Sequence, residues 1–391
     1  MLSILTDPVL AERLPAPRLA LLAVLCFLAA ALWLAVAGFL LRRNRARIPV
    51  VIHVAGTRGK STTVRLIAAG LRAGGLRVVG KATGSEPRLL TPDGREEPFR
   101  RRGPASIREQ ARLLARAARE GADALVVECM AIRPDLLWAS EARLLKATTL
   151  VVTNARPDHF EELGEAPGAM AEALAWLIPQ GGTVVAAREA ATDGFRARAA
   201  SLGARLVTVE TDGLAPDAAN RALALAACRI HGVGEEAAAA GMAFALPDPG
   251  HFAAWEAQIE GKTIRFANAF ACNDVVSLEA LWAERPPEGR PVVVLNARRD
   301  RPLRSRHFVR FLAARRPLPL LFVAGDGLAA VLARRAGFGA GDVVGLPPDP
   351  RRALAALAAA VPPGTTVWGV GNYAGLGREL AALLGPEPPA C

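Results

Sequence analysis

One stretch constrains this chain more than any other. Ile48–Ala55 is an apolar run rich in β-branched residues that ends in Gly56-Thr57-Arg58-Gly59-Lys60-Ser61-Thr62, and apolar residues at Val64, Ile67, Ala68 and Leu71 follow at once. The run reads as a buried parallel strand, and the spacing after it as one face of a helix from Ser61 to about Ala73. A strand buried on both faces and joined to a helix by a short loop demands a sheet covered by helices, so the fold class is α/β. The loop carries chemistry of its own. Its glycines let the backbone curl so that successive N–H groups point inward, and the helix N-terminus adds a positive dipole end. Lys60 is placed to reach β- and γ-phosphates and Ser61 to ligate Mg²⁺, so Gly56–Thr62 is read as an ATP-binding loop. It departs from the GxxxxGK[ST] spacing, because Val54 stands where that pattern has its first glycine.

The alternation continues along the chain. Apolar runs recur at Ala124–Cys129, Thr148–Thr153, Thr183–Ala187 and Leu206–Val209, with Ala-rich helical stretches such as Ile107–Glu120 and Asn220–Ile230 around them. That order predicts a mostly parallel, doubly wound sheet. A Pro/Gly and charge cluster at Glu284–Arg290 interrupts it before Pro291–Leu295, Leu318–Ala324 and Thr365–Val370 resume. The expected division is an anchor at 1–47, an ATP-binding central domain at 48–287 and a smaller, Rossmann-like C-terminal α/β substrate domain at 288–391. At 391 residues there is ample chain for such cores.

Upstream of the loop, Leu19–Leu41 is 23 residues without a charge, enough at about 1.5 Å per residue to cross a hydrocarbon core of about 30 Å. Arg42, Arg43, Arg45 and Arg47 crowd its C-terminal flank, whereas Arg13 and Arg18 on the other side are offset by Asp7 and Glu12. The positive-inside rule then places the rest of the chain in the cytoplasm. The five cysteines, Cys26, Cys129, Cys228, Cys272 and Cys391, show no CxxC spacing and suggest neither a disulfide framework nor a zinc site. The net charge of +11 comes almost wholly from arginine, since the lysines are Lys60, Lys81, Lys146 and Lys262 alone. Such a field favours polyanionic partners. Nucleic acid is not the expected one, because a single tyrosine and 5% aromatic residues offer few stacking platforms.

Further motifs sit at strand ends, where α/β sheets put ligand contacts. Glu128 closes one apolar run, Thr153-Asn154-Ala155-Arg156-Pro157-Asp158-His159 follows another, and Asn220 lies in an Ala-rich helical stretch, where it reads equally as a helix N-cap. Together with the GTxGK[ST]T loop these residues resemble the Mur ligase and folylpolyglutamate synthase superfamily, whose members join a carboxylate to an amine with ATP. The resemblance implies a Mg²⁺-binding role for Glu128, a second Mg²⁺ near His159, and adenine contact for Asn220. Asn268-Ala269-Phe270-Ala271-Cys272-Asn273-Asp274 lies where the superfamily joins its two domains, with Asn268 in place of the usual acid and Asp274 in place of proline; Asn273 is expected at the nucleotide. No lysine lies between Lys146 and Lys262 to match the carbamylated lysine of many Mur ligases, which leaves Glu161, Glu162 and Glu165 open as substitutes.

The whole pattern is most similar to the ligase subunits of bacterial poly-γ-glutamate synthases, the PgsB/CapB type. It carries their N-terminal anchor, Arg58 in the loop, the element Asn296-Ala297-Arg298-Arg299-Asp300-Arg301-Pro302, and the ending Gly369-Val370-Gly371-Asn372-Tyr373-Ala374-Gly375. The resemblance implies an ATP- and Mg²⁺-dependent ligase, with Lys60, Glu128 and His159 at the reaction centre. Its expected partners are glutamate and growing poly-γ-glutamate, small membrane subunits and the membrane, with homo-oligomers allowed. Arg298, Arg299, Asp300 and Arg301 follow a strand and are candidates for binding a substrate carboxylate or phosphate. The same loop also allows a Mur-type ligase for another amino acid or peptide, or a membrane-tethered NTPase.

Overall fold

The structure, a computed structural model, describes residues 16–385 apart from Ser85, Arg102, His159, Glu165, Pro249 and Asn273. Helix α1, Ala16–Ala46, has 31 residues, a length of about 46 Å. Its large apolar side chains from Leu21 to Leu40 are exposed, and among the described residues this is the one helix long and apolar enough to cross a membrane. Arg45 ties its base to the folded part, donating to the carbonyls of Leu145, Lys146 and Ile48 at 2.7–2.8 Å.

The first sheet has eight strands in the order β4-β3-β2-β5-β1-β6-β7-β8. These are β1 Val50–Ala55, β2 Val78–Ala82, β3 Arg88–Leu90, β4 Glu96–Pro98, β5 Ala124–Glu128, β6 Thr149–Val152, β7 Thr183–Ala187 and β8 Arg205–Val209. All pairs are parallel except those of β3 and β4, which form an antiparallel edge on β2. Central strands are buried on both faces, as a parallel sheet requires. Helix α2, Lys60–Ala73, buries Val64, Ile67, Ala68 and Leu71. It packs closely on α3, Pro216–Ile230, and α4, Glu235–Met242, since a Cβ on Gly70 would come within 2.8 Å of the Cys228 sulfur.

The second sheet has six strands in the order β13-β12-β11-β14-β10-β9: β9 Ala253–Ile259, β10 Lys262–Ala269, β11 Val292–Ala297, β12 Leu320–Gly325, β13 Val343–Gly345 and β14 Thr366–Val370. Only the β9–β10 pair is antiparallel. The expected boundary near 287 is therefore corrected. Ala253–Ala269 hydrogen-bonds into the second sheet through β14, and the Pro/Gly cluster at 284–290 is a loop inside that unit.

His53 is fully buried in the middle of β1, its Nδ1 3.4 Å from Glu141 Oε2. Burial opposes the imidazolium, but Cys129 and Glu141 outweigh it and raise the pKa to about 9 from an ordinary 6.5. A folded-state pKa above the unfolded one gives stability that is complete below about pH 6.5 and lost as pH rises through about 9. The urea midpoint of the protein is expected to fall across that window and to fall less in His53→Gln; an equal slope in the variant would assign the dependence to another group.

Candidate active site

Three central strands end side by side. Val54 of β1 pairs with Glu128 of β5, and Ala55 of β1 with Val152 of β6. The chain leaves β1 for β2 on one side and later crosses to β6 on the other, so the loop after β1 sits at the switch point where α/β sheets open a crevice.

The motifs are neighbours in space. Gly56 and Gly59 have φ of 128° and 80°, a region that side chains rarely adopt. A Cβ on Gly56 would stand 2.2 Å from Thr153 Oγ1, and one on Gly59 2.2 Å from Asn220 Oδ1. Thr153 Oγ1 donates to the Arg58 carbonyl at 2.5 Å, while Asn154 both donates to that carbonyl and accepts from the Arg58 N–H at 3.0 Å. Thr153-Asn154 thus shapes the loop by gripping its backbone. Asn220 is buried in the second turn of α3; the helix begins at Pro216 with Ala215 at its N-cap, so Asn220 is not a cap but a wall of the loop.

Under the loop, Ser61 Oγ donates to Glu128 Oε2 at 2.7 Å, and both residues are buried. The Thr83 N–H donates to the same oxygen. An alcohol and a carboxylate converging on one spot are hard oxygen donors of the kind Mg²⁺ takes, with phosphate and water completing its shell. Among the described residues no cluster of three His, Cys, Asp or Glu side chains could hold a metal. Lys60 Nζ donates to the carbonyls of Gly56 and Thr57 at 2.6 and 3.0 Å. Burial lowers its pKa, partly offset by Glu128. Thr62 lies in the first turn of α2, half-buried.

The second unit closes over the loop with charge. Arg58 Nε donates to Asp274 at 2.6 Å, and its Nη1 lies 3.2 Å from Asp158. Arg304 reaches Asp158 at 3.4 Å, and Arg301 reaches Glu162 at 2.9 Å. Burial alone would raise the Asp274 carboxyl, but Arg58 and the Ser277 hydroxyl outweigh it and hold it below the ordinary carboxylate range. Of the arginine loop only Arg301 comes to this cleft. Arg298 pairs with Asp300 on the surface, and Arg299 is exposed. His159, Asn273, Glu165 and the Glu161 side chain lie outside the described residues. Arg304 and the buried Arg65 were not singled out by the sequence, where nothing separates them from the other arginines.

Comparison with known proteins agrees with this architecture. A family model described as Mur ligase middle domain matches residues 54–242, and one described as poly-gamma-glutamate synthase CapB C-terminal domain matches 255–386. PGA synthase CapB of Bacillus subtilis (strain 168) is 32% identical over 286 residues, covering 68% of this chain and 72% of that protein. Among solved structures, Mycobacterium tuberculosis folylpolyglutamate synthase complexed with ADP superposes with a TM-score of 0.65 at 19% identity, over 90% of this chain and 94% of that one. A bifunctional folylpolyglutamate synthase/dihydrofolate synthase with Mn, AMPPNP and L-glutamate bound does so with 0.61 at 17% identity, over 89% of this chain and 93% of that one. The chain belongs to the family of CapB ligases, ATP-dependent enzymes that form amide bonds on a Mur ligase fold.

Proposed function

We propose that this ligase extends poly-γ-glutamate with glutamate at the cytoplasmic face of the membrane, through an acyl phosphate. The observation that carries the reading is the Ser61–Glu128 pair beneath a glycine loop whose lysine points inward. A relative named PGA synthase and a fold neighbour holding L-glutamate support glutamate as substrate. In the reaction a carboxylate oxygen attacks the γ-phosphorus of ATP and ADP leaves. The amine nitrogen of the second substrate then attacks the acyl carbon, phosphate leaves with the C–O electron pair, and the nitrogen sheds its proton.

The loop N–H groups and Lys60 bind the phosphates and hold the γ-phosphorus in line with the incoming oxygen. Ser61 and Glu128 would hold Mg²⁺, which when bound neutralises phosphate charge. Asn220 is assigned to the nucleotide, and His159, from its family position, to a second metal. Arg301 and Arg304, paired across the cleft with Glu162 and Asp158, bring the second unit down on the reacting groups and exclude water. With α1 as a span, Arg42, Arg43, Arg45 and Arg47 lie on the cytoplasmic side, and small membrane subunits are the expected partners for export.

Detergent-solubilised full-length protein with ATP and Mg²⁺ is expected to release ADP and phosphate only when L- or D-glutamate and a γ-glutamyl acceptor are present, with an amide product in step. Release indifferent to every amino acid would replace this reading with a tethered NTPase.

A further inference from the structure

Beside the Ser61–Glu128 pair, side chains of both units meet around one carboxylate. Arg88 of β3 donates to Glu86 Oε2 at 2.7 Å, and Arg378, from the helix Leu376–Leu383 of the second unit, lies 3.5 Å from Glu86 Oε1. The cluster adjoins the reacting groups. Arg88 pairs with Ala82 on β2, and the next residue, Thr83, gives its N–H to Glu128. A Cβ on Gly84 would stand 2.5 Å from both Ser61 Oγ and Asp248 Oδ2, two residues before Glu86.

The second-unit half is built on a rigid turn. Asn296 Nδ2, at the carboxyl end of β11, donates to the carbonyls of Asn372 and Ala374 at 2.7 and 2.9 Å. The turn is packed so tightly that a Cβ on Gly377 would meet the Asn372 carbonyl at 2.5 Å. Tyr373, the chain's single tyrosine, rides on that turn, its pKa raised by burial and by the anions Glu86 and Asp248, against Arg378 and Arg88. Both arginine side chains keep solvent access, 27% for Arg88 and 52% for Arg378. Arg378, on the helix that follows the Gly-Asn ending, thus reaches the same carboxylate that Arg88 holds from the other side.

We propose that Arg88 and Arg378 form a subsite for the α-carboxylate of a glutamyl substrate, with Glu86 as its internal competitor. The inference rests on the ligase reading and names where the substrate's non-reacting charge is held. Two guanidiniums suit a carboxylate that must stay bound while a γ-linkage forms. Free glutamate and the terminal unit of the polymer offer the same group.

The test uses full-length protein and steady-state kinetics, varying ATP, glutamate and a short γ-glutamyl oligomer in turn. Arg88→Gln and Arg378→Gln are expected to raise KM for glutamate or for the oligomer about tenfold while KM for ATP moves less than about twofold. The substrate whose KM moves identifies the occupant. Glu86→Gln frees both arginines and is expected to lower the same KM. If the ion pairs only bridge the two units, Glu86→Gln and Arg378→Gln break one bridge and act with the same sign; that result, or unchanged KM in both arginine variants, overturns the subsite. Turnover of the unsubstituted enzyme that ignores glutamate is a different failure, visible without any variant, and removes the ligase reading and the subsite together.

Discussion

Replacing Lys60 with alanine is expected to lower kcat/KM for ATP-dependent amide formation about 10³-fold, the loss typical of removing a preorganised charge from a transferring group, with no change in the fold. The expectation follows from how the ammonium is held. Two loop carbonyls, those of Gly56 and Thr57, accept from Nζ and aim it into the curl. The other nearby cation, Arg58, is already engaged by Asp158 and Asp274 and is not free to take its place. Lys60→Arg is expected to rescue little, since a planar fork cannot occupy a cage built around a compact point charge. Because burial lowers the Lys60 pKa, the rate should begin to fall with rising pH earlier than an ordinary lysine, near about 10.4, would allow. That alkaline limb should vanish with the side chain. Phosphate release across pH checks both points, and more than a tenth of wild-type activity in the alanine variant would move the phosphate-binding role to Arg58.

The parts of this molecule that were legible in the sequence are those whose signal is local. Ile48–Ala55 and the run at Val64, Ile67, Ala68 and Leu71 announced β1 and α2, because a strand buried on both faces tolerates few polar residues. The loop and Glu128 were legible for the same reason, since each sits at the end of an apolar run. Strand β2 was not, because Gly80 and Lys81 break its apolar pattern; Lys81 is buried with its ammonium paired to Glu109 and lying over the Phe99 ring. Strands β9 and β10 were missed because an antiparallel edge facing solvent alternates polar and apolar residues, and with them went the place of the boundary. The cross-cleft pairs are contacts over long sequence separations, such as Arg58 to Asp274. No spacing encodes them in a chain with so many arginines.

Arg65→Ala is expected to destabilise the protein by about 3–5 kcal/mol, as breaking a buried ion cluster usually does, seen as a fall of about 10 °C in Tm. Arg65 is 2% exposed, with Nε and Nη2 on Glu96 at 2.6 and 3.1 Å and Nη1 on Asp248 at 2.9 Å. One guanidinium therefore holds together α2, the β4 edge and the segment leading into β9. Removing it leaves two carboxylates facing each other where water enters poorly, and their repulsion adds to the lost hydrogen bonds. Most of the expected cost is thus the charge left behind. The triple variant Arg65→Met with Glu96→Gln and Asp248→Asn removes every charge while keeping most of the volume, and should recover more than half of the lost stability. Thermal unfolding of both proteins separates the contributions. If the triple variant is no more stable than Arg65→Ala, the directional hydrogen bonds of the guanidinium hold this junction, and burial of charge is the lesser effect.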